Sequence, residues 1–258
     1  MVIRAEISVE EEERRASKIL LFELKDHLEL ANRTCDLLWR IFASFNEINL
    51  KDTRLSSKVK LVLGARLADD LRAVYHLCSI GYSVQACVVA ASIFEVAHTV
   101  AFIGSDEERA KHWDEHDDPL IGFKGVKALV KENFKAAAAD GFERDWQGEY
   151  DVYTQLCWMK HVNPLLQDFR DPQFWSVHGT LMHAPDTTEA GIRRSWLALE
   201  RSSRLGLLAA SSIALHDLPA DDSADVSSMI EKCGVMVDEL NSKAIKRWGI
   251  DRPFKGKW

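Results

Sequence analysis

Glu95-Val96-Ala97-His98 sets a carboxylate and an imidazole three residues apart inside the apolar run from Gly81 to Gly104. On a helix that spacing puts both side chains on one face. Carboxylate-bridged di-iron sites use it because both ligands then reach one metal, but they need a second Glu-x-x-His and two further glutamates on neighbouring helices. This sequence has no second Glu-x-x-His. No metal and no cofactor are therefore expected. Glu95 and His98 are read first as hydrogen-bonded groups of a helical core, and then as candidate binding residues. A metal enzyme built on Glu95 and His98, with His161 or the His112/His116 pair, ranks third among the functional readings.

Two other stretches hold reactive side chains. In RAKHWDEHDD, His112 and His116 lie four apart, a spacing two ligands of one metal could share. No third ligand follows at fixed spacing, so a solvated, charged helix is the favoured reading. In CWMKHVNP, Cys157 and His161 are again four apart, which suits a thiolate–imidazole pair. Lys160 and His161 fall at a helix C-terminus, where cations are favoured. The segment 163–187 that follows is non-periodic and carries Trp175, His178 and His183. It reads either as a loop packed by its own aromatic residues or as the wall of a binding pocket. There is no glycine-rich phosphate loop, no G-x-S-x-G and no zinc-finger spacing.

The elements must come from a 258-residue chain with 47% hydrophobic and 28% charged residues, few prolines and eight tryptophans. A net charge of −7 disfavours nonspecific coating of a phosphate backbone. The five cysteines are scattered and odd in number, and no apolar leader opens the chain. Reduced thiols and a cytoplasmic location are expected. The Gly81–Gly104 run is long enough to span a bilayer. Glu95 near its middle and its content of Ala, Ser and Thr argue instead for a buried central helix, so no membrane partner is expected.

Apolar residues at three- and four-residue spacing predict a long helix over about 8–46, opened by a capping box at Ser8. Further helices are expected over about 56–80, 82–103, 107–116 (capped by Ser105 or Asp106), 120–139, 143–162, 188–216 and 222–247. The whole, 1–258, reads as one all-α bundle of seven or eight helices with the central helix at 82–103, a helical core over about 56–247 and the loop at 163–187. Gly81 is the expected turn between two antiparallel helices. That pairing sets Glu95 at the depth of Arg66, so Arg66 or Arg72 is the expected buried counter-ion.

Gly81-Tyr82, Phe94-Glu95 and the Tyr153-x7-His161 segment resemble an uncharacterised bacterial all-helical family of unknown function, over roughly residues 60–215. In that family an arginine commonly precedes Phe-Glu; here Ala91, Ser92 and Ile93 occupy the region. The family is similar in outline to HEPN-like domains and abortive-infection proteins. Arg109 and His116 match the Arg-x6-His form of the HEPN ribonuclease motif, with Ala110 where a polar residue usually follows. The resemblance implies a prokaryotic defence context. It also implies metal-independent RNA cleavage, or nucleotide binding, as the alternative function, with His161 or His116 as base and Arg109 stabilising the phosphorane. The leading expectation is a non-catalytic module that binds a protein partner or small ligand through Glu95, His98, Tyr153, Lys160, Trp175, His178 and His183. RNA and a second copy of the chain are the further partners considered.

Overall fold

At Gly81 the chain reverses through a pair of backbone hydrogen bonds that only a left-handed residue permits. Gly81 has φ +94°. The Tyr82 N–H reaches the Leu77 carbonyl at 2.8 Å and the Gly81 N–H reaches that of Cys78 at 3.4 Å, which is a Schellman closure. It ends one helix (Leu55–Ser79) and aims the next (Ser83–Ile103) back along it. A Cβ on Gly81 would also come within 2.7 Å of Pro185. The turn is thus a seat for the segment entering a later helix, whose Asp186 N–H donates to the Gly81 carbonyl.

The computed structural model describes residues 8–46, 53–118, 122–139, 145–160 and 185–249. Among them are nine helices and no strand: α1 (Val9–Glu23), α2 (Lys25–Asn46), α3 (Leu55–Ser79), α4 (Ser83–Ile103), α5 (Glu107–Asp114), α6 (Val126–Ala139), α7 (Trp146–Lys160), α8 (Glu189–Asp217) and α9 (Ala220–Trp248). The all-α expectation holds. The ninth helix appears because the expected 8–46 helix is broken at Leu24, which has φ −106° and ψ 11°. No glycine or proline marks the break. Leu24 is buried, and tertiary packing sets the kink: α1 lies on α3, while α2 packs between α3, α8 and α9. Ser8 takes the N-cap position but its side chain makes no capping bond.

The core is a layer of α2, α3, α4 and α8, with α9 outside α2 and α8, and α6 and α7 outside α4. In α4, 14 of 21 residues are buried, against 18 of 29 in α8; α4 is the central helix, as its composition predicts. It is also long and apolar enough to cross a membrane, but 72% of its most apolar window is buried against the other helices. Small residues allow close approach: a Cβ on Gly206 of α8 would stand 2.6 Å from the Thr34 methyl of α2.

The far ends of α3 and α8 are pinned by charge. Lys60 and Asp217 are 0% and 1% exposed and 2.5 Å apart. Ser57 donates to Asp217 at 2.6 Å, and Arg54 stands 3.3 Å from it. Arg54, at the N-cap of α3, makes no side-chain cap. Glu107 of α5 does that work, accepting from the Leu55 and Ser56 N–H groups at 3.1 and 3.2 Å. Asp106 caps α5 through the Arg109 N–H.

Candidate functional site

Glu95, His98 and Tyr153 come together where α4 meets α6 and α7. The Tyr153 hydroxyl donates to Glu95 at 2.7 Å. The Phe94 ring stands between the Tyr153 ring, 5.0 Å away, and the His98 ring, 4.5 Å away. Asn133 of α6 donates to the His98 carbonyl at 2.9 Å and meets its Nδ1 at 3.2 Å. Burial alone pushes the His98 imidazole down to about 4, so it is neutral near pH 7. Burial first, then hydrogen bonding with Cys157 and Glu95, holds the Tyr153 phenol protonated far above its ordinary range.

Glu95 is half-buried and its partner is a phenol, which corrects the expected ion pair with Arg66 or Arg72. Arg66 instead reaches Ser92, one helical turn nearer Gly81, at 3.3 Å, and sits 3.8 Å from Asp70. Arg72 bonds Asn32 and covers the Tyr75 ring. The depth argument about Gly81 places Arg66 near the right turn of α4. It misses the face, because three residues along a helix rotate the side chain by roughly 60°, and Glu95 turns toward α7. Among the described residues no three His, Cys, Asp or Glu side chains gather as a metal site.

The Arg109 guanidinium is engaged by its own neighbourhood. It donates to the Phe102 carbonyl at 2.6 Å, pairs with Asp106 at 3.1 Å and lies 4.2 Å from the centre of the Phe102 ring. His112 and His116 both turn their rings to Phe123, at 5.0 and 6.4 Å. His161, Trp175, His178 and His183 lie outside the described residues, as does the side chain of Lys160 and nearly all of the 163–187 segment.

Residues that sequence spacing does not single out form a cavity at the α1–α2 break. Its volume is about 230 Å³. Phe22 and Leu24 come from the break, His27 from α2, Ile192 and Trp196 from α8, and Leu240, Ala244 and Trp248 from α9. The His27 ring meets Trp196 edge-on at 5.6 Å, and Trp196 meets Trp248 at 5.5 Å. His27 Nε2 and Trp196 Nε1 make no protein hydrogen bond, and both atoms are fully enclosed rather than open to the space. Burial pushes the His27 imidazole down to about 3, against a smaller opposing pull from Asp26. The rim is tied by ion pairs. Arg247 holds Glu23 at 2.8 Å and Glu189 at 2.9 Å, Trp248 Nε1 donates to Glu189, and Lys243 holds Asp26 at 2.5 Å. Phe22, 80% exposed, stands at the mouth. The one signal available in the sequence was the tryptophan count, since a histidine among leucines on α2 gives no chemical pattern.

A second unforeseen cluster is structural. Glu200, fully buried on α8, lies 3.1 Å from Arg201 and 3.0 Å from Arg204, and Arg201 reaches Glu149 of α7 at 3.9 Å. It ties α7 to α8 with its charges paired. No family model, no curated protein and no solved structure matches the chain.

Proposed function

We propose that this chain is a soluble, cytoplasmic ligand-binding module whose site is the cavity at the α1–α2 break. One observation carries the reading: a half-open cleft of about 230 Å³ whose apolar side is made by Phe22, Ile192, Trp196, Leu240 and Trp248 and whose rim is held by ion pairs. No disulfide joins the five cysteines, which suits a reducing compartment. The exposed Phe22 at the mouth supplies a hydrophobic entry. Ribonuclease chemistry through Arg109 and His116 gains no support from geometry that commits the arginine to Asp106 and the Phe102 carbonyl.

The reading is tested by screening a small aromatic fragment library by two-dimensional NMR on labelled protein. Shifts should concentrate on Leu24, His27, Ile192, Trp196 and Trp248. A library that perturbs no residue of this wall at millimolar concentration sinks it. Incubation with total RNA separates the alternative: equal, slow decay with wild type and with His161→Ala rules out cleavage through that histidine.

A further inference from the structure

We infer that the cleft at the α1–α2 break takes an amphipathic monoanion: one or two rings bearing a single carboxylate, the rings against Phe22 and Trp248 and the carboxylate at the Lys25 ammonium. The inference rests on the ligand-binding reading above and specifies its ligand. A cavity of about 150 Å³ holds benzene, so about 230 Å³ receives one ring or a fused pair. The cleft is half open and its wall is half polar. The apolar body therefore enters while the charged group stays at the rim. A carboxylate seated there keeps most of its hydration, so little desolvation opposes it. Phe22, 80% exposed, gains the most cover. Ile192, Leu240 and Ala244 are already buried and form the floor. His27 Nε2 and Trp196 Nε1 are enclosed and take no part.

The sign of the charge comes from the rim. Lys25, Lys243 and Arg247 line the cleft against two carboxylates, Glu23 and Asp26. The lining thus has one positive charge in excess, in a chain whose net charge is −7. Arg247 lies between Glu23 and the adjoining Glu189, at 2.8 and 2.9 Å, and Lys243 holds Asp26 at 2.5 Å. Both carboxylates of the lining are thereby engaged. Lys25 feels the field of Asp26, but the Asp26 hydrogen bond goes to Lys243. Among the described residues no carboxylate stands at ion-pair distance from Lys25. Lys25 is exposed at the first residue of α2, and its flexible four-carbon stem lets the ammonium turn over the cleft it lines. An organic cation finds no free carboxylate at this rim, and a dianion meets only one surplus cation. A monoanion matches the balance.

2-Naphthoate, 2-naphthamide and 2-naphthylmethylammonium test this as one ring system with negative, zero and positive charge. At pH 7.5 and low salt, titration followed by two-dimensional NMR should show the naphthoate binding about fivefold tighter than the amide, the worth of one ion pair at contact near a protein surface. The ammonium should bind weakest, and shifts should fall on Phe22, Ile192 and Trp248. At about 0.5 M salt the preference should fall below about twofold, because screening reaches a rim charge. Lys25→Met keeps the stem and removes the charge. It should bring the naphthoate down to the affinity of the amide, whose own binding stays unchanged. Lys232→Met, at an exposed position of α9 outside the cleft, should leave the preference intact. Phe22→Ala should weaken both ligands by a similar factor of about three or more. Equal affinity of naphthoate and amide, tighter binding of the ammonium, or a preference that survives Lys25→Met overturns the anion inference while leaving a ligand cleft in place. Unchanged affinities in Phe22→Ala overturn the seating of the rings. Failure of all three probes to bind at millimolar concentration, or shifts that avoid the cleft, overturns the cleft reading and the inference together.

Discussion

His27 and His98 are both buried histidines with an Nε2 that meets no protein partner, and their surroundings differ. His98 sits in solid packing beside Phe94, with Asn133 holding its Nδ1 and its carbonyl. His27 sits against the edge of Trp196 at the wall of a void. Both are kept neutral chiefly by burial. The burial of a polar atom therefore does not by itself mark a site. At His98 the neighbours are fixed and the group is part of the core. At His27 a cleft lies alongside the residue, but Nε2 itself is enclosed.

A third buried group sets the scale for both. Lys60 is as enclosed as either histidine, but it carries a charge and has Asp217 at 2.5 Å. Lys60→Met should destabilise by about 3–5 kcal/mol, because Asp217 keeps its buried charge with only Ser57 and the partly exposed Arg54 beside it. The double variant Lys60→Met with Asp217→Leu should recover most of that loss. Urea denaturation of the three variants checks it. A single variant within about 1 kcal/mol of wild type would show that this end of the bundle is wetter than its geometry implies.

The neutral histidines give a pH signature. Their folded values, about 4 for His98 and about 3 for His27, lie below the free value near 6.5. Between those limits the unfolded chain binds more protons, so stability rises with pH. It is complete above pH 6.5 and falls as pH drops toward the folded values, by up to about 1.4 kcal/mol per unit for each ring. At pH 5 each should have lost about 2 kcal/mol. Around His27, Asp26 opposes the shift and Lys243 and Arg247 reinforce it. Unfolding midpoints at pH 7.5, 6 and 5 measure the slope, over a range where most carboxylates are still ionised. His27→Leu or His98→Leu should each remove about half of their joint contribution, leaving the share of His216, whose imidazole pKa burial also lowers, and a flat profile would show both rings hydrated.

The leucine variants also separate the two sites at fixed pH. His98→Leu strips Asn133 of a partner in a filled core and should cost about 1–3 kcal/mol. His27→Leu removes an unpartnered nitrogen beside free space and should stay within about 1 kcal/mol of wild type at pH 7.5. Equal losses at both positions would erase the distinction drawn between them.

Most of the helical frame was legible in the sequence because it is set by local rules. Three- and four-residue spacing, Gly81 as a turn and Asp106 as a cap each act within one or two turns of chain. The break at Leu24 was not legible, since no proline or glycine causes it; the demands of α1 on α3 and of α2 on α8 do. The cavity follows from that break, so it was equally hidden. Its wall joins Phe22, His27, Trp196 and Trp248 across more than 200 residues of sequence. The Glu95 cluster was half legible. Helical spacing gave Glu95 and His98 a shared region, and the resemblance pointed to Tyr153. The partner of Glu95 depended on which face of α4 meets α7, a matter of rotation that depth about Gly81 does not fix.

The smallest effect tests that last pairing. The Tyr153 hydroxyl donates to the Glu95 carboxylate in a half-buried setting where water still reaches the acid. Tyr153→Phe keeps the ring against Phe94 and removes one hydrogen bond, so it should cost about 1 kcal/mol, or somewhat more given that the acceptor is charged. Glu95→Ala, which a buried ion pair with Arg66 or Arg72 would set at a loss of about 3–5 kcal/mol, should cost only about 1–2 kcal/mol. The two losses should not add: the double variant should be little worse than Glu95→Ala, because both single changes break the same bond. Thermal melts of the four proteins supply the cycle. Full additivity would mean that the phenol and the carboxylate do not share this bond in solution, and a loss above about 3 kcal/mol for Glu95→Ala would return a buried cation to the list of its partners.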